Sequence, residues 1–271
     1  MPGGDAEAVA AALARPVRAL WEELRIPVRS ALGETAGRTL LLQAMLYRTA
    51  ASGRRPLVVL NHGSTDGERP GVRSVAPFEA QARLFLTRGW NAVALMRKGR
   101  GRSEGPMLEP SSDAVPEEVQ LESALEDLDA AVERMRAEPY VDPARVVVAG
   151  VSRGGLLAVA YASRHPGKVA GVLNFVGGWW GERWPSDFNL RQAALAGRGA
   201  APPMLWLYAD RDSYYGLPHA RAMFRAFRDA GGRGELVEFD DLPGNGHALH
   251  GWLDRWEPAV ARYLDTVAPE R

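Results

Sequence analysis

Apolar and polar positions alternate along the chain in blocks that predict strands and helices in turn. Short apolar runs rich in β-branched residues, such as Pro56–Leu60 and Arg145–Ala149, predict buried strands. The clearest amphipathic segment between such runs is Glu117–Glu138, whose apolar side chains recur at helical spacing. Strands that alternate with helices are typical of a parallel sheet covered on both faces. The pattern therefore predicts an α/β fold with a mostly parallel central sheet and helices on both faces.

Two segments depart from this alternation. We predict a single domain over residues 1–271, in which residues 1–25 form an N-terminal helical extension. Residues 177–202 hold several tryptophans and glycines and are too short for a domain. We interpret them as a short lid insertion or pocket wall over the carboxyl ends of the strands. The alternative is a surface excursion that buries its own aromatic side chains.

Composition narrows the range of functions. Lys and Arg together number 33, as do Asp and Glu, so the formal net charge is zero and nothing favours nucleic acid or an anionic membrane as a partner. The absence of cysteine excludes a cysteine nucleophile, disulfides and thiolate metal sites. No apolar stretch approaches the ~20 residues of a membrane span, and the N-terminal segment lacks the basic start of a signal peptide. We therefore expect a cytoplasmic protein that is a monomer or a small homo-oligomer.

The strongest chemical signal is the segment Gly150-Val151-Ser152-Arg153-Gly154, which follows a predicted strand and precedes a predicted helix. A serine hydroxyl can act as a nucleophile when a sharp turn exposes it, and flanking glycines allow such a turn. The N-terminus of the following helix would stabilise a developing oxyanion. The alternative is a glycine turn with a capping serine. We predict that Ser152 is a catalytic nucleophile.

A serine nucleophile needs a base and an acid that orients the base. His247 lies in a flexible loop after the last predicted strand and is the predicted base, with His250 as its competitor. Asp212 lies a few positions beyond the predicted strand Met204–Ala209 and is the predicted acid. The alternatives for the acid are Asp210, Asp240 and Asp241.

Two backbone N–H groups are predicted to form the oxyanion hole. One belongs to Arg153, directly after the nucleophile, and the other to Ser64, in the loop after Pro56–Leu60. We assign His62 of the same loop to the pocket, where it supports the loop by hydrogen bonds. Aromatic side chains at this sheet edge would complete an apolar substrate pocket. They are Trp179, Trp180, Trp184, Tyr214 and Tyr215.

Four cations lie between residues 97 and 102, directly after another predicted strand. One interpretation is that these side chains recognise a carboxylate on the substrate. The other, which we favour, is a solvated loop whose arginines pair with acids such as Glu104 and Glu109.

Five strings of the sequence resemble those of bacterial α/β-hydrolases related to dienelactone hydrolase and to the catalytic domain of prolyl oligopeptidases. They are Pro56–Ser64, Arg100–Gly105, Gly150–Gly155, Leu205–Tyr215 and Gly246-His247. The resemblance implies an α/β-hydrolase fold, and it supports Asp212 as the acid of a Ser-His-Asp triad in the chain order of that fold. Dienelactone hydrolases have a cysteine nucleophile where this chain has Ser152, so their substrate does not carry over.

The predicted function is the hydrolysis of small or medium-sized carboxylic esters through an acyl-enzyme. The substrate is a small-molecule ester, and the chemistry requires neither a cofactor nor a metal. One alternative is a serine peptidase for short peptides, which would need an anchor for a peptide terminus. The other is a non-catalytic binding protein, which would normally have lost a member of the triad.

Overall fold

An eight-stranded sheet forms the centre of the described part of the chain. The computed structural model describes residue 11 and residues 19–64, 78–109, 115–183 and 186–269. The strands are β1 (Ala19–Arg29), β2 (Thr39–Thr49), β3 (Arg55–Asn61), β4 (Asn91–Leu95), β5 (Val141–Val151), β6 (Gly171–Phe175), β7 (Met204–Ala209) and β8 (Gly234–Phe239). Their order across the sheet is β1-β2-β4-β3-β5-β6-β7-β8. Strand β2 pairs antiparallel with β1 and β4 and all other pairs are parallel, which confirms the predicted sheet.

Helices fill the connections between the parallel strands. They are α1 (Glu79–Thr87), α2 (Glu117–Arg136), α3 (Arg153–Arg164), α4 (Phe188–Gly197), α5 (Leu217–Asp229) and α6 (Leu253–Val267), with short 3₁₀ helices at Gly33–Thr35 and Gly246–Gly251. Strands β4, β6 and β7 are buried at every position, as expected where helices cover both faces of a sheet. None of the described helices has the length and apolar character needed to cross a bilayer.

Residues 19–25, predicted as part of a helical extension, are strand instead. Strand β1 begins at Ala19 and pairs with β2 along its whole length, from Ala19 opposite Thr49 to Arg29 opposite Thr39. It is an edge strand with one side open to solvent, and Trp21 is 73% exposed there. This part of β1 therefore lacks the buried run that marks a central strand, and pairing with β2 decides its conformation. Residues 1–10 and 12–18 of the predicted extension lie outside the described residues.

Residues 177–202 contain a helix that the sequence pattern did not predict. Helix α4 packs against α3 and α5, and its small side chains Ala193 and Ala196 are buried in that contact region. The ten residues of α4 therefore belong to the helical layer of the domain. Residues 177–183 run past the carboxyl ends of the strands, and a lid function for them stays a prediction.

The strained backbone of the described residues concentrates at one edge of the sheet. Three non-glycine residues have positive φ: Ser152 (55°), Val176 (43°) and Arg211 (53°). They follow β5, β6 and β7, three neighbouring parallel strands, so they share the carboxyl edge of the sheet. Such angles cost energy for residues that carry a Cβ atom, and they cluster at functional sites. The backbone thus indicates the edge at which open α/β sheets bind their ligands.

Candidate active site

Ser152 occupies the sharp turn between β5 and α3. Its φ and ψ are 55° and −124°, and its backbone N–H donates to the carbonyl oxygen of Phe175 over 3.0 Å. The two glycines of the motif are required by close approach. A Cβ atom on Gly150 would collide with the carbonyl group of Gly154, and one on Gly154 would collide with the backbone of Asn61. The segment therefore has the strand–turn–helix geometry that a nucleophilic serine needs.

The imidazole of His247 faces the carboxylate of Asp212. Its Nδ1 lies 3.0 Å from each carboxylate oxygen, and the Asp212 side chain is fully buried. The same carboxylate accepts backbone N–H bonds from Tyr214 (2.7 Å) and Tyr215 (3.0 Å). A carboxylate held in this way keeps one position, and it favours the imidazole tautomer with the proton on Nδ1. Nε2 is then free of that proton and can accept one.

The competing candidates for base and acid lie in other surroundings. His250 borders a small apolar cavity that is separate from the one beside the nucleophile, and burial lowers its pKa. The carboxylate of Asp210 pairs with the neighbouring Arg211 at 3.2 Å. Asp240 and Asp241 are both exposed. Among these candidate histidines and aspartates, only His247 and Asp212 contact each other.

A cavity of about 530 Å³ opens beside the nucleophile at this sheet edge. Its lining consists of Ser64, Ser152, Arg153, Trp179, Trp180, Gly181, Glu182, Arg183, Ser213, Tyr214, Tyr215 and His247. Four of the predicted aromatic residues are therefore part of its wall, whereas Trp184 lies outside the described residues. Ser152 and His247 face the same space, although their side chains form no direct hydrogen bond in the described part of the chain. Such bonds are often long in ligand-free enzymes.

His62 was predicted to line the pocket, but it lies beneath the loop instead. Its ring is almost completely buried, with Nδ1 donating to the carbonyl oxygen of Gly63 (2.7 Å) and Nε2 accepting from the N–H of Arg97 (3.2 Å). Burial, followed by the charges of Arg97 and Arg100, lowers the pKa of His62 well below its ordinary value. The neutral ring therefore supports the loop that carries Ser64 and is not a pocket residue.

The loop after β3 lies directly against the nucleophile. A Cβ atom placed on Gly63 would lie 3.0 Å from the Cβ of Ser152, and the next residue, Ser64, lines the cavity. On the other side, Arg153 begins α3, and it also lines the cavity. The residues that carry both predicted oxyanion donors thus flank the nucleophile; the role of their N–H groups stays a prediction.

The side chain of Arg153 links the part of the cavity wall formed by Trp179 and Trp180 to the turn that carries Ser152. Its Nε donates to the carbonyl oxygen of Trp179 over 3.0 Å, and its guanidinium carbon lies 4.8 Å from the ring centroid of Trp180. A second guanidinium nitrogen donates to the carbonyl oxygen of Glu109. Stacking of a guanidinium on an aromatic face is favourable. The position of the wall therefore depends on the residue that follows the nucleophile.

The cations between residues 97 and 102 pair with acids, as we favoured, but Arg97, Lys98 and Arg100 are buried, so the expected solvated loop is wrong. Arg97 is buried and forms a two-pronged pair with Glu109, at 2.5 and 2.7 Å, while donating to the carbonyl oxygen of His62 over 2.8 Å. Burial alone would raise the pKa of Glu109, but the Arg97 guanidinium lowers it to about 2. Lys98 pairs with Asp127 at 3.0 Å. Arg97 therefore braces the loop beneath the site and does not line the cavity.

Asn245 is a site residue that the sequence analysis missed. Its Oδ1 accepts from the N–H groups of His247 (3.0 Å) and Ser213 (3.1 Å), and its Nδ2 donates to the Ser213 hydroxyl. Asn245 thus links the loop of the acid to the loop of the base. Asparagine before a helical turn is a capping signal that would have identified it. The charged lining residues Glu182 and Arg183 carried no such signal.

The sequence profile of the dienelactone hydrolase family matches residues 92–257, which is more than half of the chain. The chain belongs to this family. The dienelactone hydrolase match includes the serine turn, the aspartate and the histidine, whereas the loop with Ser64 precedes it. Family membership makes the chain a hydrolase. No curated protein matches it.

Solved structures agree with this family in fold. An acetyl xylan esterase from Paenibacillus sp. R4 is 15% identical, with a TM-score of 0.62 over 97% of this chain and 93% of the esterase. A putative dienelactone hydrolase from Klebsiella pneumoniae is 19% identical, with a TM-score of 0.60 over 89% of this chain and 98% of that chain. An acylaminoacyl peptidase from Pyrococcus horikoshii is 14% identical, with a TM-score of 0.65 over 93% of this chain and 42% of the peptidase. These similarities establish the α/β-hydrolase fold.

Proposed function

We propose that this dienelactone hydrolase family member hydrolyses small or medium-sized carboxylic esters through an acyl-enzyme. Ser152 is the nucleophile, His247 the general base and Asp212 the acid that orients it. The proposal rests on two features that lie at the same cavity. A serine with φ of 55° shares that cavity with a histidine whose Nδ1 is 3.0 Å from a buried carboxylate.

Acylation follows from this geometry. Ser152 Oγ attacks the ester carbonyl carbon while its proton moves to Nε2 of His247, and Asp212 stabilises the imidazolium that forms. The negative charge on the former carbonyl oxygen is then held by the N–H groups of Ser64 and Arg153. The N-terminus of α3 adds positive potential at the same place. His247 returns the proton to the leaving alcohol as the ester bond breaks.

Deacylation repeats these steps with water. His247 takes a proton from a water molecule in the cavity, the hydroxide attacks the acyl carbon, and the bond between that carbon and Ser152 Oγ breaks. His247 then returns the proton to Oγ. Every proton in the cycle moves through Nε2, so no metal or redox cofactor is required for this chemistry.

The size of the cavity supports an ester of small or medium size. About 530 Å³ lies within the range of small-ligand sites and suits an acyl chain of short or medium length. The buried rings of Trp179 and Trp180 provide an apolar wall. Acetate and butyrate esters or compact aromatic esters fit such a space better than long-chain lipids.

The direct test measures ester hydrolysis and identifies the nucleophile by labelling. The wild-type protein should hydrolyse p-nitrophenyl acetate, the Ser152→Ala variant should fold but lose essentially all of this activity, and a serine-directed phosphonate should label Ser152. A label on another residue, or full activity in Ser152→Ala, would remove Ser152 as the nucleophile.

A short-peptide peptidase is the second candidate, because Glu182 lines the cavity and is exposed. Among the described residues no cation lies within ion-pairing distance of its carboxylate, so Glu182 could bind the ammonium group of a peptide N-terminus. Faster turnover of an aminoacyl nitroanilide than of the acetate ester, together with its loss in Glu182→Gln, would favour this candidate over the esterase.

A further inference from the structure

The side chain of Tyr215 brings a second hydroxyl group to the nucleophile. Tyr215 follows Asp212 by three residues, and its backbone N–H donates to the Asp212 carboxylate over 3.0 Å. Its side chain is 2% exposed and lines the same cavity as Ser152. The phenol and the Ser152 hydroxyl lie close to each other in that cavity. The nucleophile therefore shares its cavity with a phenol as well as with the imidazole of the base.

The ring of Tyr215 is clamped in this position on several sides. A Cβ atom on Gly178 would overlap the hydroxyl-bearing end of the ring, so only glycine fits there. The N–H of the same Gly178 donates to the carbonyl oxygen of Ser152 over 3.1 Å, which fixes that end of the ring beside the nucleophile turn. The rings of His219 and His247 lie with their centroids 6.2 and 5.6 Å from that of Tyr215. The phenol is thus held beside the Ser152 turn before any substrate binds.

The phenol of Tyr215 keeps its proton at neutral pH and can therefore donate a hydrogen bond. Burial raises the pKa of Tyr215 well above its ordinary value, although the neighbouring Ser152 hydroxyl and the charge of Arg153 oppose this effect. A neutral phenol both donates and accepts hydrogen bonds, and it is a stronger donor than an aliphatic hydroxyl. When Tyr215 donates to Ser152 Oγ, the serine proton remains available for Nε2 of His247.

We propose that Tyr215 is a further catalytic residue, which donates a hydrogen bond to Ser152 Oγ whenever that oxygen carries negative charge. This proposal rests on the proposed serine hydrolase function. Negative charge develops on Oγ twice: when its proton leaves for His247 during attack, and when the bond between Oγ and the acyl carbon breaks during deacylation. Tyr215 keeps its own proton throughout, so proton transfer still runs only through His247.

The contact has a kinetic consequence. A hydrogen bond that strengthens as charge develops lowers the barrier to the chemical steps and contributes little to substrate binding. Its loss should therefore lower kcat while leaving KM within about twofold. Hydrogen bonds to charged groups are worth enough to predict a fall in kcat of roughly ten- to a hundredfold.

The first experiment compares Tyr215→Phe with Tyr263→Phe. Tyr263 is the matched control, because its hydroxyl is also engaged, donating to Pro203 and accepting from the N–H of Val172, but it does not line the cavity. We measure kcat and KM for p-nitrophenyl acetate and the rate at which a fluorophosphonate labels Ser152. Tyr215→Phe should lower kcat and the labelling rate together, and Tyr263→Phe should lower neither.

The second experiment replaces Tyr215 with 3,5-difluorotyrosine, which keeps the ring and the hydroxyl but has a lower phenol pKa. The activity of this variant should fall at a lower alkaline pH than that of the wild type, because the ionised phenol can no longer donate. A purely structural tyrosine would not produce this shift. The variant also keeps the test decisive if Tyr215→Phe fails to fold.

The outcomes separate this proposal from the function on which it rests. If Ser152 is labelled in the wild type but at an equal rate in Tyr215→Phe, the role of Tyr215 is wrong and the proposed function stands. An unchanged alkaline profile with 3,5-difluorotyrosine would overturn the role of Tyr215 in the same way. If the wild-type protein is not labelled at Ser152, the proposed function is wrong and the role of Tyr215 is overturned with it.

Discussion

The carboxylate of Asp212 faces the imidazole of His247 with both oxygens, each 3.0 Å from Nδ1. The two residues come from different loops, which follow β7 and β8. Asn245 links these loops by accepting from the N–H groups of His247 and Ser213. The orientation of the base is therefore set by contacts that are independent of any substrate.

The first prediction concerns the acid. Asp212→Asn should lower kcat by about 10³–10⁴-fold, because an amide does not hold the Nδ1-protonated tautomer or stabilise the imidazolium. Asp210→Asn is the matched control, since its carboxylate pairs with Arg211 and does not contact the histidine. It should retain kcat within a few-fold. The rates are measured with p-nitrophenyl acetate, and a larger loss in Asp210→Asn would move the acid to that position.

The second prediction separates the two histidines. His247→Ala should abolish ester hydrolysis, because no other side chain takes the proton from Ser152. His250→Ala should keep most of kcat but lower the free energy of unfolding by roughly 1–3 kcal/mol, since truncation leaves a void in the small apolar cavity that His250 borders. Steady-state rates and urea unfolding of both variants test this. Retained activity in His247→Ala would refute its role as the base.

The sequence pattern was sufficient to predict the buried strands of the sheet and the position of the nucleophile. Strand β7 has the predicted bounds, because a run of six buried apolar residues gives an unambiguous signal. The glycines around Ser152 are dictated by backbone collisions, so the motif itself encodes the turn. The predicted acid and base were separated by 35 residues in sequence, and the shared carboxyl edge of β7 and β8 brings them together.

Most of the remaining features depend on tertiary contacts, which the pattern of apolar and polar residues does not reveal. The first half of β1 is a strand because β2 pairs with it, and its exposed side chains gave no signal of this. Helix α4 is a different case: its leucine, arginine, glutamine and alanine residues favour a helix, but the glycines and tryptophans around it obscured the pattern. His62 was misplaced because its orientation depends on the backbone N–H of Arg97, 35 residues away in the sequence.

The third prediction concerns the cavity wall. Trp180 is buried against the guanidinium of Arg153 and lines the cavity beside the nucleophile. Trp180→Ala should therefore raise kcat/KM for octanoate relative to acetate esters by about tenfold, since each added methylene gains apolar contact in the enlarged pocket.

Trp21→Ala is the matched control for this variant, because Trp21 is an exposed tryptophan on the edge strand β1 and does not line the cavity. Its preference among acetate, butyrate, octanoate and palmitate esters should equal that of the wild type. An unchanged preference in Trp180→Ala, or a wild-type optimum at palmitate, would contradict the assignment of Trp180 to the acyl pocket.

The fourth prediction concerns stability in acid, which follows from the buried pair of Glu109 and Arg97. Burial opposes ionisation of Glu109, but the Arg97 guanidinium lowers its pKa from 4.5 to about 2. Below pH 4.5 the unfolded chain takes up a proton at Glu109 while the folded protein does not. The contribution of the pair is therefore complete above pH 4.5 and is lost as the pH falls toward 2, and it amounts to about 3 kcal/mol at ~1.4 kcal/mol per pKa unit.

Glu109→Gln should remove this contribution, so its free energy of unfolding should fall less steeply between pH 4.5 and 2 than that of the wild type. The variant should also be less stable at pH 7, because it leaves Arg97 buried without a counter-charge. If it does not fold, the double variant Arg97→Met, Glu109→Gln removes both charges and retains the test. Glu79→Gln, which changes an exposed carboxylate, should keep the wild-type slope. Urea unfolding at several pH values measures the slopes, and equal slopes in wild type and Glu109→Gln would show that Glu109 does not govern acid stability.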